Sequence, residues 1–130
     1  MDNSSIVPNA SPMRAPQSFL PLKNDVLYIC LAIAARPRHG YAIIRDVEER
    51  SDRQVLLQTG AFYRTLRTML TGGLIEECAP PVGETVDDNR RRYYQLTTLG
   101  TAVLEAELER LEELVRTAQR VIASSKPRLA

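Results

Sequence analysis

The C-terminal part of the sequence carries an apolar pattern that strongly limits what the chain can fold into. Apolar residues recur there in alternating steps of four and three, with no proline or glycine between them. This spacing is typical of a helix with a coiled-coil seam. We expect a helix over 98–124, capped by Thr97 or Thr98, and since no apolar segment follows to cover it, we expect it to form a dimer. The predicted seam comprises Leu104, Leu108, Leu111, Val115, Ala118 and Ile122.

Three shorter helices are predicted upstream, and the first of them is apolar on two faces. It spans 22–35, with Pro21 at its start. A helix with that much apolar surface must be covered from two sides. One side can be the domain core and the other a partner subunit, so we expect Leu22, Val26 and Ile29 to join the dimer contact.

The next two helices are predicted over 40–50 and 60–71, separated by a β-prone run at 54–57. We expect Thr59 to cap the later helix and Gly72-Gly73 to end it. The inward residues of the earlier helix are predicted to be Tyr41, Ile44 and Val47. Those of the later helix are Phe62 or Tyr63, Leu66, Met69 and Leu70.

A β-hairpin is predicted between the third helix and the long one. Its strands are 74–78 and 91–96, joined by a polar loop over 79–90. Three helices, a hairpin and a long helix are the order of a winged helix-turn-helix. The chain is therefore predicted to be mainly α with a small β-hairpin, with a long C-terminal dimerisation helix. The expected organisation is a disordered arm over 1–18, a DNA-binding domain over 19–97, the dimerisation helix over 98–124 and a flexible tail over 125–130.

Charge and composition exclude several classes of protein. The net charge is only +1, but acidic residues crowd into 105–113 while arginines lie upstream, so one face can still be positive. Cys30 and Cys78 have no metal-ligand spacing, and no nucleophile motif or phosphate loop is present, so we expect no metal, no cofactor and no enzyme activity. With no membrane span and no signal peptide, a cytoplasmic location is expected.

Five short segments, in this order, resemble the PadR family of bacterial repressors. The chain is similar to its short subfamily, whose members dimerise through the last and first helices. That subfamily can bind planar drugs through a tryptophan in the last helix, and this chain has no Trp. The segments are His39-Gly40-Tyr41-Ala42-Ile43, Gly60-Ala61-Phe62-Tyr63-Arg64-Thr65-Leu66, Gly73-Leu74-Ile75 and Arg91-Arg92-Tyr93-Tyr94-Gln95-Leu96-Thr97, closed by Gly100.

The third helix is the expected recognition element, because a helix fits the major groove of DNA. Arg64 can pair with guanine or with phosphate, and the alternative is that Arg64 is only a solvated surface residue and Gly60 only a loop end. The residues predicted to face DNA are Thr59, Gly60, Ala61, Arg64, Thr65 and Arg67.

Further DNA contacts are predicted next to this helix. The resemblance implies that Tyr63 donates its hydroxyl to a phosphate, while the ring can also fill the core. His39 is expected to cap the second helix or to contact phosphate. Arg90, Arg91 and Arg92 are expected to reach DNA from the hairpin. The alternative is that these arginines pair with Asp87, Asp88 or Glu84.

Together these features predict a homodimeric repressor that binds double-stranded DNA at an inverted repeat. An effector pocket between subunits is predicted around Leu22, Val26, Ile29, Leu108 and Leu111, although the same residues can form a dry seam. The competing hypothesis is an interaction module, because winged helices also bind proteins.

Overall fold

The computed structural model describes residues 14–83 and 91–125. It confirms the predicted fold class, a mainly helical chain with a small β-hairpin and a long last helix. A 3₁₀ turn at Pro16–Phe19 comes first. The elements that follow are α1 (Asn24–Ala34), β1 (Arg38–His39), α2 (Gly40–Arg50), α3 (Thr59–Thr71), β2 (Ile75–Cys78), β3 (Tyr93–Leu96) and α4 (Thr98–Ser125).

The segment before α1 differs from the prediction. The expected disordered arm overlaps the 3₁₀ turn, which packs against α4, while residues 1–13 lie outside the described part. Helix α1 begins at Asn24 rather than at residue 22, because Lys23 is extended and the N–H of Leu22 donates to the side chain of Glu107. The side chains of Phe19, Leu20 and Leu22 pack against the hydrophobic core of the same chain.

Helices α2 and α3 form the helix-turn-helix. Ile43 and Val47 of α2 are fully buried, whereas Tyr41 is 62% exposed, so its predicted place in the core is wrong. The four-residue step between Ile43 and Val47 sets the buried face, and Tyr41 falls outside it. The predicted β-prone run at 54–57 is a loop, because the hydroxyl of Ser51 accepts the N–H of Val55 and turns the chain toward α3.

Three strands form the sheet, one more than predicted. Strand β3 lies in the middle and pairs antiparallel with β2 and with β1. Glycine ends α3 as expected, since Gly73 has a φ of 81° and the N–H of Leu74 bonds to the carbonyl of Met69 at 3.0 Å. Thr97 caps α4 as predicted, accepting the N–H of Gly100 at 2.9 Å.

Helix α4 belongs to the core only along its first part. Val103, Leu104 and Glu107 are buried against the rest of the chain. Every residue from Glu112 to Ser125 is exposed, so the distal part of the helix projects away from the domain. None of the helices in the described ranges is both long and apolar enough to cross a membrane.

Candidate nucleic-acid interface

The outer face of α3 presents positive charge that no acid in the described part of the chain neutralises. The helix contains Arg64 and Arg67 and has no acidic residue. Both arginines are exposed, and neither forms an ion pair with any residue in 14–83 or 91–125. Among the other residues predicted to face DNA, Thr59, Gly60 and Ala61 are exposed and Thr65 is half-buried.

The N-terminus of α3 is open. Gln58, not Thr59, occupies the N-cap position, and no side chain caps the helix there. The predicted cap at Thr59 is wrong, because Thr59 is already the first helical residue. The first N–H groups of a helix have no acceptor within it and carry the positive end of the helix dipole. This end therefore suits an anionic partner.

Tyr63 packs its ring against the core and remains partly exposed. Its ring meets the buried Phe62 edge-to-face at 4.9 Å, and the residue stays 44% exposed. The hydroxyl lies against Gly40 at the start of α2, where a Cβ would come within 2.5 Å of the oxygen. The absence of a side chain at Gly40 thus lets Tyr63 reach across from α3 to α2.

The two described arginines of the hairpin, Arg91 and Arg92, differ in whether they form an ion pair. Arg92 pairs with Glu77 of β2 at 3.2 Å, an acidic pairing of the kind given as the alternative, but with a residue other than the three named for it. Arg91 is exposed and forms no ion pair within the described part of the chain. Arg90 lies outside the described residues, as do Glu84, Asp87 and Asp88. An exposed pair such as Arg92–Glu77 stabilises little and is easily exchanged.

His39 has the structural role that was favoured for it. Its Nδ1 accepts the N–H of Ala42 at 3.3 Å and caps α2, and its ring meets Tyr93 edge-to-face at 5.4 Å. In the described ranges no group of three or more His, Cys, Asp or Glu side chains is arranged to hold a metal ion.

A cavity of about 320 Å³ lies where α2, α3 and the hairpin meet. Sequence reasoning placed four of its residues near DNA, but missed three others. Gly40 and Tyr41 lie on the first turn of α2, and Tyr94 lies on β3. In the sequence, Tyr93 and Tyr94 had indicated only a preference for β-structure. The cavity is lined by His39, Gly40, Tyr41, Tyr63, Arg91, Arg92 and Tyr94.

The predicted dimer surface is only partly available. Leu108, Val115 and Ile122 are exposed, at 42%, 53% and 56%. Ile29 is fully buried and Leu104 is 6% exposed in the core of one protomer, so these two predictions are wrong. Both lie on apolar faces that the single chain covers by itself. Ala118 is also exposed, Leu111 is half-buried, and the neighbouring Leu114 and Val121 widen the apolar stripe.

The five residues predicted to form an effector pocket do not line one cavity in the protomer. Leu22 and Val26 line a cavity of about 390 Å³ beside Phe19 and Met69. Leu108 and Leu111 line a separate groove on α4, and Ile29 is buried in the core. A pocket containing the predicted set would require a second subunit.

Comparisons with known proteins agree with this architecture. The model of the transcriptional regulator PadR-like family matches residues 29–106. A PadR-like transcriptional regulator from Bacillus cereus is 21% identical, with a TM-score of 0.61 over 75% of this chain and 89% of that one. RosR from H. salinarum is 23% identical, with a TM-score of 0.58 over 83% and 99%. A PadR family transcription regulator from Clostridium difficile is 27% identical, with a TM-score of 0.55 over 77% and 94%. No curated protein matches the sequence significantly.

Proposed function

The chain belongs to the PadR-like family of transcriptional regulators, which bind DNA and are not enzymes, and on that premise we propose that it is a repressor acting as a homodimer. The observation that carries the proposal is the outer face of α3, where two exposed arginines have no acidic partner among the described residues. Such a face is suited to the phosphate-rich wall of the major groove.

Helix α3 enters the major groove by its N-terminal half. Thr59, Gly60 and Ala61 leave room for a close approach of the backbone, and the open helix end favours phosphate. Arg64 is the side chain placed to read a base edge, with Thr65 and Arg67 beside it. The hairpin arginines and Tyr63 contact phosphates on either side, which positions the domain without reading sequence.

The homodimer forms through the part of α4 that projects from the domain. Leu108, Leu111 and Val115 form an apolar groove there, and Ala118 and Ile122 extend it toward the C-terminus. A stripe of this kind on a projecting helix is stabilised by packing against a second copy. Leu22 and Val26, half-buried beside Phe19 and Met69, are the residues of the predicted N-terminal contact that stay accessible to a second subunit. We accordingly assign 19–97 to DNA binding and 98–124 to dimerisation.

Two recognition helices related by a twofold axis read an inverted repeat whose half-sites lie about one helical turn apart. Occupation of such an operator blocks polymerase access. A small-molecule effector would bind between the subunits near the α4 groove and change the distance between the two DNA-binding domains. Calorimetric titration of phenolic and cationic compounds into the dimer tests this, and the absence of any binder would remove the effector from the proposal.

The decisive experiment measures binding to duplex DNA from upstream of the protein's own gene, against a scrambled duplex, over a series of salt concentrations. We expect one dimer per site, preference for the native duplex and affinity that falls steeply with salt. Arg64→Ala should reduce the preference for the native duplex. Arg50→Ala is the matched control, because that guanidinium is already neutralised by Asp46 at 2.6 Å. Equal, salt-independent binding to both duplexes would favour a protein-interaction module.

A further inference from the structure

Tyr94 is a buried residue whose hydroxyl has no hydrogen-bond partner in the described part of the chain. Tyr94 is only 6% exposed, and its hydroxyl makes no hydrogen bond with any residue in 14–83 or 91–125. Burying a hydroxyl group without a partner costs free energy, so native structures nearly always provide one. An exception of this kind points to a ligand that supplies the acceptor.

The surroundings of Tyr94 define the ligand. Tyr94 lines the 320 Å³ cavity together with the first turn of α2, where the N–H groups of Gly40 and Tyr41 have no acceptor within the helix. The hydroxyl of Tyr63 lies against Gly40, and Arg91 and Arg92 also line the cavity.

The charge of the cavity has one sign. Its described lining contains two arginines and no aspartate or glutamate, and Glu77 on the neighbouring strand is bonded to Arg92. Burial, followed by the charge of Glu77, raises the pKa of Tyr94, so its hydroxyl remains a protonated donor. Convergent donors, a helix N-terminus, Arg91 and an Arg92 that exchanges its exposed partner Glu77 form the environment that a phosphate group requires.

We propose that this cavity is a phosphate-binding site that takes one backbone phosphodiester of DNA per protomer, with Tyr94 as its buried hydrogen-bond donor. The proposal rests on the DNA-binding function above and adds to it a contact that no motif indicated. The phosphate bridges the N-terminus of α2 and the hairpin, and so fixes how deeply α3 sits in the groove. Because the contact reads no base, it contributes equally on operator and non-operator DNA.

Tyr94→Phe is the variant that tests the site, since it removes the hydroxyl and keeps the ring. Affinity for the operator and for a scrambled duplex should fall by the same factor, about tenfold or more. The melting temperature should stay the same or rise, because the unpaired buried hydroxyl is gone. Tyr28→Phe is the matched control, a half-buried tyrosine on α1 outside the cavity, and it should leave DNA affinity unchanged.

A scan with neutral methylphosphonate linkages along the operator identifies the phosphate. At one position per half-site, the substitution should weaken the wild-type protein by a larger factor than it weakens Tyr94→Phe, because the variant has already lost the hydrogen bond from Tyr94. Additive losses at every position would show that Tyr94 acts only through the fold, and the proposal would be wrong. If Tyr94→Phe does not fold, Arg91→Gln, an exposed substitution in the same cavity, is scanned in its place with the same two outcomes.

Two further results separate this proposal from the general one. If the wild-type protein shows no DNA binding at all, the proposed function fails. If it binds DNA normally and Tyr94→Phe binds equally well, only the phosphate site fails. Inorganic phosphate is titrated as a separate arm, and submillimolar binding of free phosphate that Tyr94→Phe abolishes, without any loss of DNA affinity, would overturn DNA as the ligand.

Discussion

The carboxylate of Glu107 in α4 accepts a hydrogen bond from the N–H of Leu22, 85 residues earlier in the chain, at 3.2 Å. Arg110 holds the same carboxylate from the side, with Nε at 2.7 Å and a second nitrogen at 2.9 Å. Glu107 is 1% exposed. One buried charge thus attaches the segment before α1 to the base of the projecting helix.

Glu107→Gln should destabilise the fold by about 1–3 kcal/mol, because Arg110 loses its anionic partner and the amide satisfies fewer of the donors. The free energy of unfolding in urea measures the loss. Glu113→Gln is the matched control, because Glu113 also pairs with an arginine three residues on, at 2.7 Å, but in full contact with solvent. Its pair should contribute little, so equal losses in both variants would show that burial of Glu107 is unimportant.

The stability of the wild-type protein should also depend on pH through Glu107. The hydrogen bonds from Arg110, and secondarily from Leu22, hold the pKa of Glu107 below its ordinary value of 4.5. A lowered pKa in the folded state means that the stabilisation is present above pH 4.5 and is lost as the pH falls toward the folded pKa. Between pH 6 and pH 3, the free energy of unfolding measured in urea should therefore fall more steeply for wild type than for Glu107→Gln. Parallel pH dependences of the two proteins would contradict the assignment.

Sequence periodicity predicted where the helices lie better than which of their faces meet which neighbour. Ile29 and Leu104 stand in correct apolar stripes, but a stripe alone does not say whether the same chain or a second one covers it. Glu107 was noted only as one of the acids that crowd into 105–113, although its position one turn from both Leu104 and Leu111 places it on the apolar face. An acidic residue within an apolar stripe was the sequence feature that could have predicted the buried ion pair.

At the candidate interface, too, helical features could be predicted from the sequence but tertiary contacts could not. The exposed arginines of α3 follow from helical spacing and were predicted from sequence. The strand Arg38–His39 has only two residues, too short for any periodicity, so its pairing with β3 was missed. Tyr94 is brought to the start of α2 by that sheet, and only the tertiary structure shows the resulting cavity.

Gly40→Ala should reduce DNA affinity without a matching loss of stability. The new methyl group would lie 2.5 Å from the hydroxyl of Tyr63, whose ring is 44% exposed and can swing away at small cost. Alanine is also the better helix former, by roughly 0.5–1 kcal/mol. Melting temperature and DNA affinity are measured together. A large fall in melting temperature, with DNA affinity unchanged, would contradict the role given to Tyr63.

Leu111→Glu should convert the dimer into a monomer in sedimentation experiments, since it places an unpaired charge in the apolar stripe of α4. Ser124→Glu introduces the same charge on the opposite side of that helix, where all residues are exposed, and should leave the dimer intact. A dimer that survives Leu111→Glu would locate the interface elsewhere.

The two cysteines should differ in reactivity toward a thiol reagent. Burial raises the pKa of Cys30 to about 12, and its sulfur is inaccessible, whereas Cys78 is half-buried at the end of β2. The thiolate is the reactive form. Under native conditions at neutral pH we expect slow labelling of Cys78 and none of Cys30, with both labelled in denaturant. Mass spectrometry of the labelled peptides identifies each site, and native labelling of Cys30 would show that the core opens.

Gly100→Ala should be the most destabilising of these substitutions, and the reason is the packing of α4 on the start of the hairpin. A Cβ at Gly100 would lie 2.0 Å from the carbonyl oxygen of Leu74 and 2.9 Å from its carbon, so the conflict is with backbone and no side chain can rotate to relieve it. Leu74 also accepts the N–H of Thr97 at 3.0 Å, and this bond would have to break for the backbones to separate. We expect a loss of about 3 kcal/mol or more in unfolding free energy.

Gly60→Ala is the matched control for that experiment. Its Cβ would meet only a terminal nitrogen of Arg64 at 3.7 Å, an ordinary contact, on an exposed first turn of α3. Stability should therefore be unchanged or slightly higher, by up to about 1 kcal/mol, because alanine replaces glycine in a helix. Thermal unfolding monitored by circular dichroism compares the two variants. A Gly100→Ala protein as stable as Gly60→Ala would mean that α4 can move away from β2, and that the contact between them does not hold the helix in place.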